Sequence, residues 1–183
     1  TIYIAGFCPE ETAGDCWYDK EAADRAIGFF RDCLTHVKGE KAGTPFQLDD
    51  WQADIVGALF GWKRPDGTRR FRTAYIEIPR KNGKSTLAAG LALYMLFSKD
   101  GGEAGGEVYS AAAEREQASI VFDIAAQMVS AEAVLRDCST TFRKSIAIER
   151  TASFYKVLSA DAYTKHGLNA SAIIFDELHA QPN

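Results

Sequence analysis

Apolar positions along the chain fall into blocks with two different periods. In residues 20–37, Ala22, Ala23, Ala26, Ile27, Phe30, Cys33, Leu34 and Val37 form one stripe at helical spacing, with Lys20, Asp24, Arg25, Arg31 and Asp32 opposite. This predicts an amphipathic helix over 20–37 whose stripe packs on the body. A second helical stripe runs from Trp51 through Ile55, Val56, Leu59 and Phe60, with Asp49 or Asp50 placed to cap it. Leu87, Ala88, Leu91, Ala92, Met95 and Leu96 make a third, and Ala118, Val121, Phe122, Ala125 and Met128 a fourth within 113–129. Between them the period changes. Residues 73–78 form a short apolar run broken only by Glu77, residues 107–112 read EVYSAA, and residues 170–175 are small and apolar. The first and last of these predict strands buried on both faces of a parallel sheet. Residues 145–150 and 154–159 alternate on either side of Thr151-Ala152-Ser153, which suits a hairpin or neighbouring strands. Strands alternating with helices predict an α/β fold: a mostly parallel sheet with flanking helices.

The punctuation agrees with this segmentation. KGEKAGTP (38–45) reads as a polar linker, Pro65-Asp66-Gly67 as a turn, DGGEAGGE (100–107) as a flexible loop and DAYTKHGLN (161–169) as a polar loop. Residues 1–18, with Gly6, Pro9 and Gly14, read as an extended arm that needs something to lie on. The expected division is an arm and helix over 1–45 packed on a core over 46–183.

Composition narrows the class. The chain has 183 residues, 46% hydrophobic and 25% charged, which is the bulk of one globular domain with a substantial core. A net charge of −4 excludes a protein coated in basic surface, so any nucleic-acid contact is local. Arg64, Arg69, Arg70, Arg72, Arg80, Lys81 and Lys84 nevertheless cluster in one stretch. Cys8, Cys16, Cys33 and Cys138 include no C-x-x-C pair and have only His36, His166 and His179 to join them, so no zinc spacing exists, and free thiols in a reducing cytoplasm are expected. No apolar run approaches the roughly 18 residues of a membrane span, and no secretory signal pattern opens the chain. A chain beginning at Thr1 reads as a processed or trimmed product.

Candidate chemistry sits at two predicted strand ends. In RTAYIEIPRKNGKST (72–86) the strand 73–78 feeds a basic turn, then Gly83-Lys84-Ser85 at a helix start. Successive backbone N–H groups and the positive end of a helix dipole bind phosphate there. Lys84 would reach the β- and γ-phosphates and the Ser85 hydroxyl would ligate Mg²⁺. The pattern G-x-x-x-x-G-K-[ST] is incomplete, since Ile78 occupies the first glycine position. The second strand end is Asp176-Glu177, which points two acids into the crevice where parallel sheets bind ligands. Asp176 is placed to hold Mg²⁺, and Glu177 to orient and deprotonate an attacking water. Trp51 and Gln52 offer a ring to stack on a purine and an amide to meet its edge; the alternative is a capped helix with Trp51 in the core.

The segments FQLDDWQADIVGALFGW, RRFRTAYIEIPRKNGKST, AAAEREQAS and AIIFDELHA, in this order and spacing, resemble the ATPase domain of the large terminase subunit of tailed double-stranded DNA bacteriophages. The resemblance runs from about Tyr18 to the last residue, and RKNGKS is its most distinctive part, because that family lacks the first glycine and carries an arginine three residues before the second.

The resemblance implies a P-loop NTPase of the additional-strand class using ATP and Mg²⁺. In it Arg80 and Glu177 are catalytic. Lys81, Asn82, Gly83, Lys84, Ser85 and Thr86 form the phosphate loop, or Walker A turn. Gln52, Trp51 and, as a second candidate, Gln47 serve adenine, and Ser85 and Asp176 hold the metal. It also implies double-stranded DNA, a portal protein and a small terminase subunit as partners, self-association as a ring on the portal, no membrane, and work in the host cell cytoplasm. The chain is expected to stop after the Walker B strand, short of a nuclease domain and of the strand that the class inserts between 73–78 and 170–175. That would leave an empty slot, and a polypeptide of these residues alone would then aggregate or lack ATPase activity. Rival readings are a DExH-type helicase or translocase, which Asp176-Glu177-Leu178-His179 fits literally, and a non-hydrolysing nucleotide-binding assembly module.

Overall fold

A computed structural model of the chain describes residues 9–79, 81–98, 103–111, 115–158 and 168–176, with side chains 115–117 left aside. The elements run β1 (Trp17–Tyr18), α1 (Lys20–Cys33), α2 (Asp50–Gly61), β2 (Trp62–Lys63), α3 (Lys84–Phe97), β3 (Glu107–Ala111), α4 (Arg115–Ala131), α5 (Ala133–Cys138), β4 (Thr140–Phe142), β5 (Ser145–Ile148), β6 (Ser153–Val157) and β7 (Ala170–Phe175).

Helix α1 starts where its cap dictates: the Asp19 carboxylate accepts from the Ala22 N–H at 3.0 Å, and Glu21 and Arg31 stand at the ends the helix dipole favours. It stops four residues earlier than the apolar stripe predicts. Leu34 is already extended, and residues 34–46 fold into a hairpin: Phe46 N–H donates to Leu34 O at 2.8 Å, His36 N–H to Thr44 O at 2.9 Å, and Gly43 N–H to His36 O at 2.8 Å. The segment expected to be a helix end and linker is therefore ordered by cross-strand bonds. Leu34 still reaches the core, and Val37 still packs on it, from extended backbone.

Helices α1, α2 and α3 pack together. Phe30 is wholly buried and makes edge contacts with Phe29 and Phe46. The crossing of α1 on α3 depends on Gly90, because a Cβ there would lie 2.3 Å from the Phe30 ring.

Among the described residues the main sheet has five strands in the order β4-β5-β6-β3-β7. Strand β3 is parallel to β6 and β7, whereas β5 is antiparallel to β4 and β6. The sheet is thus mixed, not mostly parallel: residues 140–148 return as a meander instead of crossing over through a helix. All five described α-helices contribute to the cluster on one face, with Val108, Ile146, Tyr155, Ala172 and Ile174 beneath them. The other face carries a smaller cluster of Tyr109, Ala111, Phe154 and Leu158, to which no described helix contributes.

Two strand expectations change. Residues 71–79 belong to no strand; Phe71 is buried, Arg72, Thr73, Ala74, Tyr75 and Glu77 are exposed, and Ile76 and Ile78 are partly covered. A β-prone run forms a strand only where a neighbouring strand pairs with its backbone, and no described strand forms a ladder with this one. Strand β7 forms as predicted but at the sheet edge, with β3 as its neighbour, so Ile173 and Phe175 remain 41% and 45% exposed. The arm, in contrast, finds its surface. β1 pairs with β2, and the Arg70 guanidinium donates to Pro9 O at 2.8 Å and to Thr12 Oγ1 at 2.9 Å while lying over the Trp62 ring.

Candidate functional site

The Lys84–Phe97 helix opens at Gly83, whose left-handed backbone (φ 73°, ψ 17°) admits a residue without a Cβ at little cost. Lys81, two residues earlier, adopts the same region at φ 69°. A lysine there is strained, and such strain persists where the surroundings impose it. Asn82 Nδ2 donates to Pro79 O at 3.2 Å, closing the turn across its base. Ser85 lies one residue into the helix, and its Oγ donates to Asp176 Oδ2 at 3.2 Å across 91 residues of sequence. Asp176, 9% exposed, is held there because its N–H donates to Ala111 O at 3.1 Å, continuing the β3–β7 ladder one residue past the strand. The turn and the acidic strand end, read separately in the sequence, meet here.

That hydroxyl and carboxylate are hard oxygen donors, the type a small divalent cation prefers when water and phosphate complete its shell. Among the described residues no group of three or more His, Cys, Asp or Glu gathers to hold a metal.

Beside the turn lies a cleft of about 430 Å³, a volume in the range of small-molecule sites. Lys81, Asn82, Gly83 and Thr86 line it from the turn, Gln47, Asp49 and Gln52 from the start of α2, and His36, Lys38, Glu40, Lys41 and Phe46 from the 34–46 hairpin. Gln52 is 4% exposed. Its Oε1 accepts from the Asp49 N–H at 3.0 Å, one half of a capping box at the start of α2. That bond fixes the amide's orientation, and Nε2 faces the turn, 3.7 Å from where a Gly83 Cβ would be.

The remaining predicted residues divide. Gln47 lines the cleft and is exposed. Trp51 packs partly buried against the main core and is not among the residues lining the cleft, which is the alternative its position left open. Lys84 is half-buried at the first position of α3. Arg80 and Glu177, the two expected catalytic residues, lie outside the described residues, as does His179. Of the basic cluster, Arg70 is committed to the arm, and Arg69 lies over Phe60 at 5.4 Å, where burial first and then Arg72 lower its pKa. Arg64 and Arg72 are exposed.

Sequence reasoning missed the hairpin wall. His36, Lys38, Glu40 and Lys41 sit in a stretch with linker composition, and no local period announces that Thr35 and Pro45 will be bridged. The only available hint was Gly39 and Gly43, which take positive φ of 77° and 83°.

These features define a mixed α/β domain with helices packed on its sheet and a ligand-sized cleft where a helix start meets the sheet. Residues 50–183 match the family described as the terminase large subunit, ATPase domain. The chain is 34% identical over 157 residues to the terminase large subunit of Enterobacteria phage HK97, a match covering 84% of this chain and 30% of that protein. The crystal structure of the HK97 bacteriophage large terminase is similar with a TM-score of 0.71 at 32% identity, over 85% of this chain and 31% of that one. The chain belongs to the terminase large-subunit ATPase family and spans about 30% of the length of the curated relative it matches.

Proposed function

We propose that this chain carries the ATP-hydrolysing centre of a phage DNA-packaging motor, a P-loop ATPase of the additional-strand class that moves double-stranded DNA into a procapsid in the host cytoplasm. The observation that carries the reading is the Ser85–Asp176 hydrogen bond, which brings a helix-start hydroxyl and a strand-end carboxylate to one point beside a phosphate-binding turn. Residues 1–45 serve as an arm and helix braced on the 46–183 core. The portal protein, the small terminase subunit and further copies of the chain in a ring are the partners this function requires.

Residues 81–86 receive the triphosphate on backbone N–H groups and the α3 dipole, with Lys84 on the β- and γ-phosphates. Ser85 and Asp176 would hold Mg²⁺, which when bound neutralises charge on the phosphates. Arg80 meets the γ-phosphate. Glu177 takes a proton from the water that attacks the γ-phosphorus, and ADP leaves in line. Gln52 donates from Nε2 toward the base while its Oε1 stays with Asp49.

Glu177→Gln tests this in the naturally expressed protein. Phosphate release should fall by roughly 10² or more while ATP affinity stays within about threefold, because only a positioned base is lost. Turnover at the parent rate would reject the role given to Glu177. Arg80→Lys keeps charge but loses the planar fork, and should cost about 1–3 kcal/mol in the transition state; unchanged turnover returns Arg80 to the solvated surface.

A further inference from the structure

The cleft is lined by two unlike segments. One is the turn of Lys81, Asn82 and Gly83, which suits anionic phosphate; the other is the 34–46 hairpin. A ligand that meets both must be anionic in one part and able to pack against a ring in another. The hairpin's ring is His36, whose centroid lies 4.6 Å from that of Phe46. Phe46 is 2% exposed and contacts the fully buried Phe30 ring edge-on at 5.4 Å, so the imidazole is the outermost of three rings stepping out of the core. Its main chain is fixed on both sides, N–H to Thr44 O and C=O from Gly43 N–H. Gln52, more than nine-tenths buried, also lines the cleft, with its amide nitrogen oriented by the Asp49 bond toward Gly83.

We propose that the His36 imidazole, backed by Phe46, is the platform on which the purine base of the nucleoside triphosphate rests, and that the hairpin is the outer wall of the nucleotide cleft. This rests on the phosphate-turn reading of residues 81–86 and assigns the hairpin lining of the same site. Burial foremost, and then Lys41, lower the His36 pKa, so the platform is an uncharged face at neutral pH. The stacking role belongs to His36 because Trp51, the aromatic residue nearer the motif in sequence, packs against the core instead.

The experiment measures binding of ATP and of tripolyphosphate, a probe without a base, to the naturally expressed protein by calorimetry. In His36→Ala, ATP should bind about tenfold more weakly and tripolyphosphate as in the parent; His36→Phe should restore ATP binding to within about threefold. Parent-like ATP affinity in His36→Ala, an equal loss for both probes, or a His36→Phe as weak as His36→Ala would each overturn the platform. Lys84→Ala separates this failure from failure of the underlying reading. It should weaken both probes; if it weakens neither, the phosphate turn itself is wrong, whereas if it weakens both and His36→Ala changes nothing, the platform alone falls.

Discussion

Glu107–Ala111 and residues 73–78 are both short β-prone runs, yet one is an interior strand of the sheet and the other belongs to no strand. β3 has β6 and β7 on its two sides, and Val108 and Ala111 have no exposed surface. In the other run Tyr75 is 49% exposed. Composition does not separate the two; enclosure does. A strand's backbone groups need partners in register, and an apolar side chain contributes to stability only where another surface covers it.

The sharpest way to break this contrast is to place a charge in each run. Val108→Asp should destabilise the domain by on the order of 4 kcal/mol, since it buries an unpaired carboxylate under α3 and α4, while Tyr75→Asp should stay within about 0.5 kcal/mol in urea unfolding. Equal losses would mean that residues 73–78 are enclosed in the working protein. The same logic applies to two helix glycines. Gly90→Ala should cost about 1–3 kcal/mol because the new Cβ meets the immobile Phe30 ring. Gly28→Ala, with only the Asp32 and Arg31 side-chain ends nearby at 3.5 and 3.8 Å, should be neutral or stabilise by up to about 1 kcal/mol.

A weaker effect is expected where enclosure is local. Arg70→Ala removes the guanidinium that holds Pro9 and Thr12, so protease should cut residues 9–16 several-fold faster while the melting temperature falls by only a few degrees, about 1–2 kcal/mol. The smallest effect concerns His36. Its folded pKa lies below the ordinary 6.5, so the unfolded chain binds the proton more readily and stability falls as pH drops through 6.5, levelling off below the folded value. His36→Asn should flatten this part of the stability profile between pH 5 and 7.5. An unchanged slope would show that the imidazole is solvated, which would also weaken the case for a fixed platform.

Much of the fold was legible because short-range rules specify it. The Asp49 cap, the α2 and α3 stripes, the Pro65-Asp66-Gly67 turn and the β7 run ending at Asp176 depend on residues within one or two turns of each other, and they lie where the sequence places them. The Gly83-Lys84-Ser85 helix start was legible for the same reason: glycine's backbone freedom and the end of a helix are local properties. Other features depend on pairings that no local period encodes. Thr35 with Pro45 ended α1 early, and Arg70 with Pro9 and Thr12 committed one cation of the basic cluster to anchoring the arm. The Asp49 N–H chose which end of the Gln52 amide faces the turn. The sequence alone determined that a Gly83-Lys84-Ser85 helix start and an apolar strand ending at Asp176 exist. Only the tertiary structure decided that Ser85 and Asp176 touch, because contact across 91 residues depends on how β3 registers against β7 and α3 packs on the sheet.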